Sequence, residues 1–521
     1  MTADMRLFED ERAAFLHSNT SSSSARLSSS FSSLFDFEDE SLDDSHDPHD
    51  TLLHEKPDVS SLRRKAQHIL WWIRWHRRPV RQLAVFFLKY TLILIVALLV
   101  LTPIICPSYQ HPPSHYHDLE EHCRDLGWQG HNPAASGCAN AFNETVFIAV
   151  SLIYENDSGV EGAAALQELR KRVPCRSEIV YDEHVAMDTI PNITMPDGTV
   201  RTKRLAYLTE IRNRSLRPLD TLDGVGATRF DKIFFLNDVA FRPLDAAHLL
   251  FSTNVGSDGR TEYLSVCSVD WKIPWIFYDA FALRDAEGYA DGMPLFPIFS
   301  GAGAGLSRSD MLHEKDAVRV TGCWGGMVAM QAAYVQNTDL ALPRPDFQDI
   351  GSHVIDPDRP TAISSPVRFR YEPEIFVDAC ECCLFLADVS QAARVSGAPE
   401  TSTGVFVNPY VRVTYDWGTL LMARAIQRWE RLFIVPQFFL TPYHKMPANN
   451  PHRTVQEGDT FVEEVWDATT SAWKLVHRTG RSGMFCVVRE MLLMRDKRKG
   501  DRNWERAAVP GGRTLDFPAP Y

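Results

Sequence analysis

The chain has 521 residues, of which 45% are hydrophobic and 23% charged, and this composition is typical of a globular protein that buries a substantial core. Its formal net charge of −13 at pH 7 argues against a nucleic-acid-binding surface. The charge is uneven along the chain: residues 1–60 carry fourteen Asp/Glu against four Lys/Arg, whereas residues 61–81 carry seven Lys/Arg and no acid.

Residues 1–60 are predicted to be a disordered, acidic, Ser-rich cytosolic tail, because they contain too few apolar residues to offset the entropy lost on ordering. A sorting or phosphorylation segment and a solvated tail without a specific role are both compatible with this pattern. Residues 61–82 then form a basic juxtamembrane segment.

Residues 83–105 are predicted to be a transmembrane helix. Lys89 is the one charged residue in this stretch, and the length reaches the ~20 residues that cross a bilayer. A buried core helix is the alternative, but basic residues and tryptophans flank the N-terminal side. The positive-inside rule then places the tail in the cytosol and the chain after residue 106 in a lumen, as in a single-pass type II membrane protein.

The part predicted to be luminal carries the features of an oxidising, glycosylating compartment. All ten cysteines follow the apolar stretch, and Cys123 and Cys138 are the most local pair. The motif "CECC" at 380–383 resembles a metal knuckle, but disulfides or packing are favoured because no second Cys/His pair stands at zinc spacing. The glycosylation sequons of this part of the chain are at Asn143, Asn156, Asn192 and Asn213.

After a Pro/His-rich luminal stem at 106–140, residues 141–521 are predicted to form one globular domain. Its predicted elements are a strand at 145–154, a helix at 160–173, a strand at 177–183, a helix at 203–219 and strands at 231–238 and 262–271. Strands that alternate with helices indicate an α/β fold with a doubly wound, mostly parallel sheet.

An amide and a carboxylate, Asn237 and Asp238, end the apolar strand "KIFFL". In open parallel sheets, ligands bind outside the carboxyl ends of the strands. The pattern therefore predicts that Asp238 points into a crevice, although a plain turn at the end of a strand gives the same short motif.

Several segments occur together in a characteristic order: "SLIYENDS", "KRLAYLTEIRNRSLRPL", "KIFFLNDVAF", "SVDWKIPWIFYDAFALRDAEG", "CWGGMVAM" and "NPYVRVTYD". Through them the chain resembles the fungal capsule-associated α-1,3-mannosyltransferases, glycosyltransferase family 69, over residues 145–450. The resemblance implies a GT-A-like fold, a GDP-mannose donor, a mannose-containing acceptor, dependence on Mn²⁺ or Mg²⁺, and the Golgi membrane as location.

The resemblance also implies roles for individual residues. Asp238 is expected to hold the metal, with His444 as a further ligand, since a hard cation neutralises the diphosphate. A structural role is the alternative for His444. The residues expected to bind the nucleotide sugar are Tyr154, Glu155, Asn156, Arg204, Arg212, Asn213 and Asn237. Arg204 and Arg212 share a helix face, where they either clamp a diphosphate or form a solvated basic surface.

Three acids are expected to act at the reacting centre: Asp270, Asp279 and Asp285. Such carboxylates stabilise positive charge at the anomeric carbon or act as a base or nucleophile. A helix cap or a salt bridge is the alternative role for at least one of the three. The residue after Trp324 departs from the family pattern, in which an Asn stands where this chain has Gly325. Trp324 itself suits either a sugar-stacking platform or the core.

Two alternatives to a GDP-mannose-dependent transferase are open, and the single acid in "NDV" and Gly325 favour the first of them. One is a catalytically weak relative that binds glycans or scaffolds polysaccharide assembly. The other is an enzyme of the same fold with another donor, such as UDP-xylose or GDP-fucose. Metal-dependent protection against heat by GDP but not by UDP separates guanosine from uridine donors, and no protection by any nucleotide favours the scaffold.

Overall fold

A computed structural model describes residues 59–125, 137–151, 159–173, 175–179, 187–220, 228–336, 366–400, 403–467, 469–499 and 502–507. The chain divides into two units, Met1–Phe87 and Leu88–Tyr521. The described part of the first unit is helical. The second unit contains the sheet and the remaining described helices.

The described helices are α1 (Val59–Ile105), α2 (Ser114–Asp125), α3 (Gly159–Arg172), α4 (Arg204–Leu216), α5 (Pro243–Phe251), α6 (Leu306–Leu312), α7 (Glu381–Val395), α8 (Trp417–Ile426) and α9 (Ile434–Tyr443). The first strands are β1 (Val146–Val150), β2 (Asn192–Thr194), β3 (Val200–Thr202), β4 (Lys232–Leu236), β5 (Ser265–Ile273), β6 (Ile276–Phe277), β7 (Arg284–Asp285) and β8 (Val318–Gly322). They are followed by β9 (Met327–Gln331), β10 (Asp378–Ala379), β11 (Val405–Thr414), β12 (Thr460–Asp467), β13 (Ala472–Thr479), β14 (Val487–Val488), β15 (Leu492–Lys499) and β16 (Arg502–Arg506).

The predicted span coincides with the C-terminal half of α1. Within the described residues, Gln82–Ile105 is the one helical stretch long and apolar enough to cross a membrane, and no part of its most apolar window is buried. A helix whose large apolar side chains are exposed along most of its length is suited to lipid.

The central sheet has the strand order β1-β4-β9-β5-β11-β8-β7, with β6 paired to β5. Parallel pairing joins β1 to β4 and β5 to β11, while β9 runs antiparallel between β4 and β5. It follows that β1, β4, β5 and β11 all run in one direction and end at the same edge of the sheet. The predicted α/β fold is confirmed, and the sheet is mixed, with antiparallel strands inserted among the parallel ones.

Both faces of the sheet are covered, as the alternation along β4 shows. Ile233 and Phe235 belong to the larger core, which contains Phe385 of α7. Phe234 points the other way, into a second core with Leu249 and Leu250 of α5. Since successive strand residues face opposite sides, a strand buried throughout requires layers on both faces.

The described part of the predicted stem packs on the domain. Tyr116 of α2 is 3% exposed and stacks on His248 of α5 with ring centroids 4.4 Å apart. Cys123 of the same helix is bonded to Cys138, which confirms the predicted local pair. Two further disulfides, Cys267–Cys323 and Cys383–Cys486, join residues far apart in sequence, and sequence spacing alone did not predict them.

A buried ion pair holds α4 against the segment before α7. Lys203 and Asp378 are both inaccessible to solvent, and the ammonium lies 2.6 Å from the carboxylate. The same ammonium donates to the carbonyls of Glu372 and Val377 at 2.6 Å each. Every donor of this amine therefore has a protein acceptor, as a buried charge requires.

Candidate active site

The candidate site lies where β4 and β5 end. The backbone N–H of Asn237 donates to the carbonyl of Gly326 at 3.0 Å, which ties the end of β4 to the loop before β9. Asp238 follows with an exposed side chain. The predicted position of Asp238 at the carboxyl edge of the sheet is therefore confirmed, while its role as a metal ligand stays a prediction.

Two of the three predicted catalytic acids are neighbours in the structure. Asp270, on β5, is 1% exposed, and its carboxylate accepts from the Tyr415 hydroxyl at 2.8 Å and from the backbone N–H of Asp279 at 3.2 Å. The carboxyl of Asp279 accepts in turn from the backbone N–H of Gly325 at 3.0 Å. Asp279 is only partly buried, and it lines a cavity together with Trp324 and Gly325.

Burial sets the charge of this carboxyl pair. Desolvation raises the pKa of Asp270 to about 6. Desolvation and the neighbouring Asp270 charge raise the pKa of Asp279 to about 8. Two carboxylates in one poorly solvated site repel each other, so the pair keeps one proton at neutral pH, and Asp279 holds it.

Tyr278 connects the carboxyl pair with the other predicted residues. Its side chain is 50% exposed, and its ring packs edge-on against Tyr415 at 4.9 Å. Burial raises the pKa of Tyr278, the charges of Asp270, Asp279 and Asp238 raise it further, and the charge of Arg204 lowers it. The three acids and Arg204 are thus close enough to act on one phenol.

Arg212 approaches the same site from α4. Its Nε donates to Glu381 at 2.9 Å, and its guanidinium lies 4.7 Å from the centre of the Trp324 ring. The charges of Arg212 and Glu381 act in opposite directions on the pKa of Asp279. Arg212 lies beside the site, where Glu381, which the sequence analysis did not single out, balances its charge, and its binding of a diphosphate stays a prediction.

Arg204 lies two turns before Arg212 on α4, with its guanidinium 5.2 Å from the centre of the Trp504 ring. Its charge reaches Tyr278, as described above, and also Glu490. Diphosphate binding by Arg204 stays a prediction. Trp504 lies near the C-terminus, and sequence order gave no signal for this contact.

Trp324 belongs to the core. Its side chain is 3% exposed and packs against Phe235 and Phe369 at centroid distances of 5.2 and 5.6 Å. Of the two interpretations of this residue, the buried tryptophan is therefore correct, and Trp324 contributes to the site through its contact with Arg212.

The glycine after Trp324 is required by the backbone. Gly325 has φ +59°, and a Cβ at this position would lie 1.9 Å from the carbonyl oxygen of Ser268. An asparagine here would collide with β5 and strain the backbone. The departure from the family pattern therefore has a physical reason: the N–H of Gly325 reaches Asp279 only through a close approach that excludes a side chain.

The motif "CECC" divides into a disulfide and a hydrogen-bonded cluster. Cys383 is bonded to Cys486, and Cys380 and Cys382 are buried thiols. The ligand atoms of Cys380, Glu381 and Cys382 lie within 4.8 Å of one another. Burial raises the pKa of Cys382, so its thiol stays protonated and donates to Glu381. The cluster thereby supports the carboxylate that holds Arg212.

The other predicted residues have different surroundings. The carboxylate of Asp285 accepts from the backbone N–H groups of Glu287 and Tyr289 at 2.8 and 2.9 Å, so it caps a turn at the sheet edge. His444 follows the last residue of α9, and its ring packs edge-on against Tyr443 at 5.1 Å. Their catalytic and metal-binding roles stay predictions. Tyr154, Glu155 and Asn156 lie outside the described residues.

The side-chain amide of Asn213 makes two hydrogen bonds with the backbone of Phe369. It donates to the carbonyl of Phe369 and accepts from the N–H of Phe369, both at 2.9 Å, and its side chain is 6% exposed. The structure therefore gives Asn213 a structural role beside the site, and its contact with the donor stays a prediction. Of the other sequons, Asn143 and Asn192 are exposed, and Asn156 lies outside the described residues.

This difference in exposure predicts which sequons carry glycan. In protein produced in a glycosylating host, Asn143→Gln and Asn192→Gln should each increase electrophoretic mobility, whereas Asn213→Gln should not. Asn213→Gln should instead lower the free energy of unfolding by about 1–3 kcal/mol, because the backbone groups of Phe369 lose buried partners. A mobility increase for Asn213→Gln would contradict the structural role given to its amide.

Comparison with known proteins gives a match to a family model over a range that contains the acids of this site. Residues 142–388 match the family model described as Cryptococcal mannosyltransferase 1. No curated protein and no solved structure matches the chain. The matched range includes Asp238, Asp270, Asp279 and Glu381, whereas Tyr415 and Trp504 lie beyond it.

Proposed function

Because the chain belongs to the family of cryptococcal mannosyltransferase 1 through residues 142–388, we propose that it transfers mannose from GDP-mannose to a mannose-containing glycan with an α-1,3 linkage. The observation that carries the proposal is the carboxyl pair Asp270 and Asp279 at the edge of the sheet where β4 and β5 end. A raised pKa in a partly accessible acid next to a buried one is typical of a catalytic group.

Asp279 is the group that contacts the acceptor. It is the partly exposed member of the pair and lines the cavity beside Gly325. A carboxyl with a pKa near 8 is a far stronger base when ionised than an ordinary aspartate. We assign to it the removal of the proton from the acceptor hydroxyl, while Asp270, buried beneath it, raises its basicity by charge.

Tyr415 and the backbone of Asp279 hold Asp270 in place. Each donates to a different oxygen of the Asp270 carboxylate. Both oxygens therefore have a hydrogen-bond donor, which fixes the orientation of the buried acid. The acid that tunes the site is therefore positioned before substrate arrives, which is the arrangement that electrostatic catalysis requires.

The nucleotide side of the site is assigned to Asp238 and Arg204. Asp238 is exposed and acts on the pKa of Tyr278 together with Asp270 and Asp279, and carboxylate oxygens of this kind suit Mn²⁺ or Mg²⁺. When bound, the cation neutralises the diphosphate and stabilises GDP as it leaves. Arg204, whose charge lowers the pKa of Tyr278, would supply a positive charge for the same phosphates.

The protein is proposed to be a single-pass type II protein of the Golgi membrane, with the catalytic part in the lumen. The apolar stretch Gln82–Ile105 supports the anchor, and the basic residues that precede it support the orientation. Three disulfides among the described residues favour an oxidising compartment.

The donor can be tested with the full chain in detergent. GDP with Mn²⁺ should raise the melting temperature and UDP should not, and GDP-[¹⁴C]mannose with α-mannobiose should give labelled trisaccharide. Protection by UDP alone would replace the donor assignment. A chain that no nucleotide protects and that forms no product would be a glycan-binding scaffold, and the proposed transferase would be wrong.

A further inference from the structure

Two helices near the candidate site expose an apolar face. On α8 and α9, large apolar side chains recur at intervals of three to five residues, while residues on the opposite sides, such as Leu420 and Gln437, are buried. On α9 the buried residues Gln437 and Thr441 are polar, so this helix is amphipathic with its apolar side outward, whereas α8 is apolar on its buried side as well as on its exposed side. The exposed face consists of Trp417, Leu421, Met422, Val435, Phe438, Phe439 and Tyr443, which are 53–78% exposed.

The connection between these helices is bonded to the proposed membrane span. Trp429 lies in the 3₁₀ segment Gln427–Phe433, and its indole N–H donates to the carbonyl of Leu99 at 2.8 Å. In a regular helix that carbonyl would accept from residue 103, but Pro103 has no N–H. The proline thus leaves a helix acceptor open near the end of the span, and Trp429 fills it.

The charges around the face are compatible with a bilayer surface, since the exposed acid at the start of α8, Asp416, is the N-cap of that helix and accepts from the backbone N–H of Thr419. Glu430 is the one acid between residues 417 and 453, and it is buried in an ion pair with Arg412 at 2.7 Å. Exposed charges in the same stretch include Arg428 and Lys445, which are basic. Aromatic and aliphatic side chains on an exposed helix face are typical of helices that lie in the headgroup region of a bilayer.

We propose that α8 and α9 lie in the luminal interface of the bilayer that holds the span, with the exposed face inserted among the lipids. The inference rests on the membrane anchor proposed above. The bond from Trp429 to Leu99 places the face beside the end of the span, and membrane contact relieves the exposure of seven large apolar side chains.

The proposed contact has a consequence for the substrate. Tyr415, which orients Asp270, is two residues before Trp417, the first residue of the inserted face. The proposed insertion therefore puts Tyr415 and the reacting centre close to the membrane surface, where an acceptor carried on a lipid or held close to the bilayer is within reach.

Photolabelling of the full chain tests the proposal. The protein is reconstituted in vesicles of phosphatidylcholine and phosphatidylserine that contain a phosphatidylcholine with a diazirine in its acyl chain, and lipid adducts are mapped by mass spectrometry after irradiation. Peptides from α8 and α9 should be labelled as strongly as the span. The peptide containing Val395, which is 77% exposed at the end of α7, serves as the control and should be labelled several-fold less.

The outcomes separate this inference from the anchor itself. Label in the span but at control level in α8 and α9 would overturn the inference and leave the anchor standing. No label in the span would overturn both. Crosslinks between copies of α8 and α9 without lipid adducts would show that a second copy covers the face, which also overturns it.

A pair of variants adds an independent readout. Phe438→Ser with Phe439→Ser should reduce the label on α9 several-fold while the span keeps its label, and Val395→Ser should change neither. Neither phenylalanine belongs to the described cores, so both variants should retain the melting temperature of the parent. Undiminished label on α9 in the double variant would contradict the proposed insertion.

Discussion

Replacing Asp279 by asparagine should lower kcat for mannosyl transfer by about 10²–10⁴-fold, because the amide cannot take the proton of the acceptor hydroxyl. Asparagine keeps an oxygen that can accept from the N–H of Gly325, so the backbone around the site should be unchanged. Initial rates with GDP-[¹⁴C]mannose measure the effect. Asp125→Asn, on the exposed end of α2, is a matched control that should keep the parental rate.

The pH dependence of the rate tests the role of the second acid. In the parent protein, the rate should rise as pH passes the raised pKa of Asp279, near 8. Asp270→Asn removes the neighbouring negative charge, so the pKa of Asp279 falls and the rise should move to lower pH. A profile that keeps its position in Asp270→Asn would contradict the assignment of Asp270 as the group that tunes Asp279.

Stability should change with pH in the opposite sense to activity. The folded-state pKa of Asp279 lies above that of an unfolded aspartate, so the folded protein holds this proton more tightly. Its contribution to stability is therefore present in acid and is lost as pH rises from about 4 towards the raised value, by up to about 1.4 kcal/mol per unit. Urea unfolding should show that Asp279→Asn gains stability relative to the parent between pH 5 and pH 8.

Replacing Lys203 by methionine should give the largest loss of stability, about 3–5 kcal/mol, because it leaves Asp378 buried without its cation. Urea unfolding of the full chain in detergent measures the loss. The control is Lys474→Met, whose ion pair with Asp467 is exposed and should contribute no more than about 1 kcal/mol.

The defect of Lys203→Met should depend on pH. Burial already raises the pKa of Asp378 to about 6, and removal of the lysine raises it further. The variant should therefore lose most stability at high pH, and the loss should shrink as pH falls and Asp378 takes up a proton. A double variant, Lys203→Met with Asp378→Leu, should recover much of the stability. A defect of the same size in the double variant would mean that lost packing rather than an unpaired charge is responsible.

The sequence predicted those parts of the site that depend on local pattern. The apolar strand ending at Leu236 and the helix carrying Arg204 and Arg212 follow from periodicity, and both are confirmed. Asp270 and Asp279 are nine residues apart and meet through a short turn, so their proximity was also within reach of sequence reasoning.

Contacts between residues that are far apart in the sequence could not be predicted. Glu381 follows Arg212 by 169 residues, and Tyr415 follows Asp270 by 145 residues. Neither pairing can be predicted from the spacing of residues along the chain. The direction of the strands could not be predicted for the same reason. The antiparallel position of β9 between β4 and β5 depends on the paths of loops that are distant in sequence, and parallel and antiparallel strands can have similar apolar runs.

The disulfide between Cys383 and Cys486 bears on how the chain can be produced. Three cysteines, at 380, 382 and 383, lie within four positions, and each of them could form a disulfide with Cys486 during folding. Oxidation before the helix and its neighbours have packed can join the wrong sulfur, and the error is corrected only by exchange. Recombinant expression should therefore depend on a host with disulfide isomerase, and a yield that rises with isomerase level would be the signature of this competition.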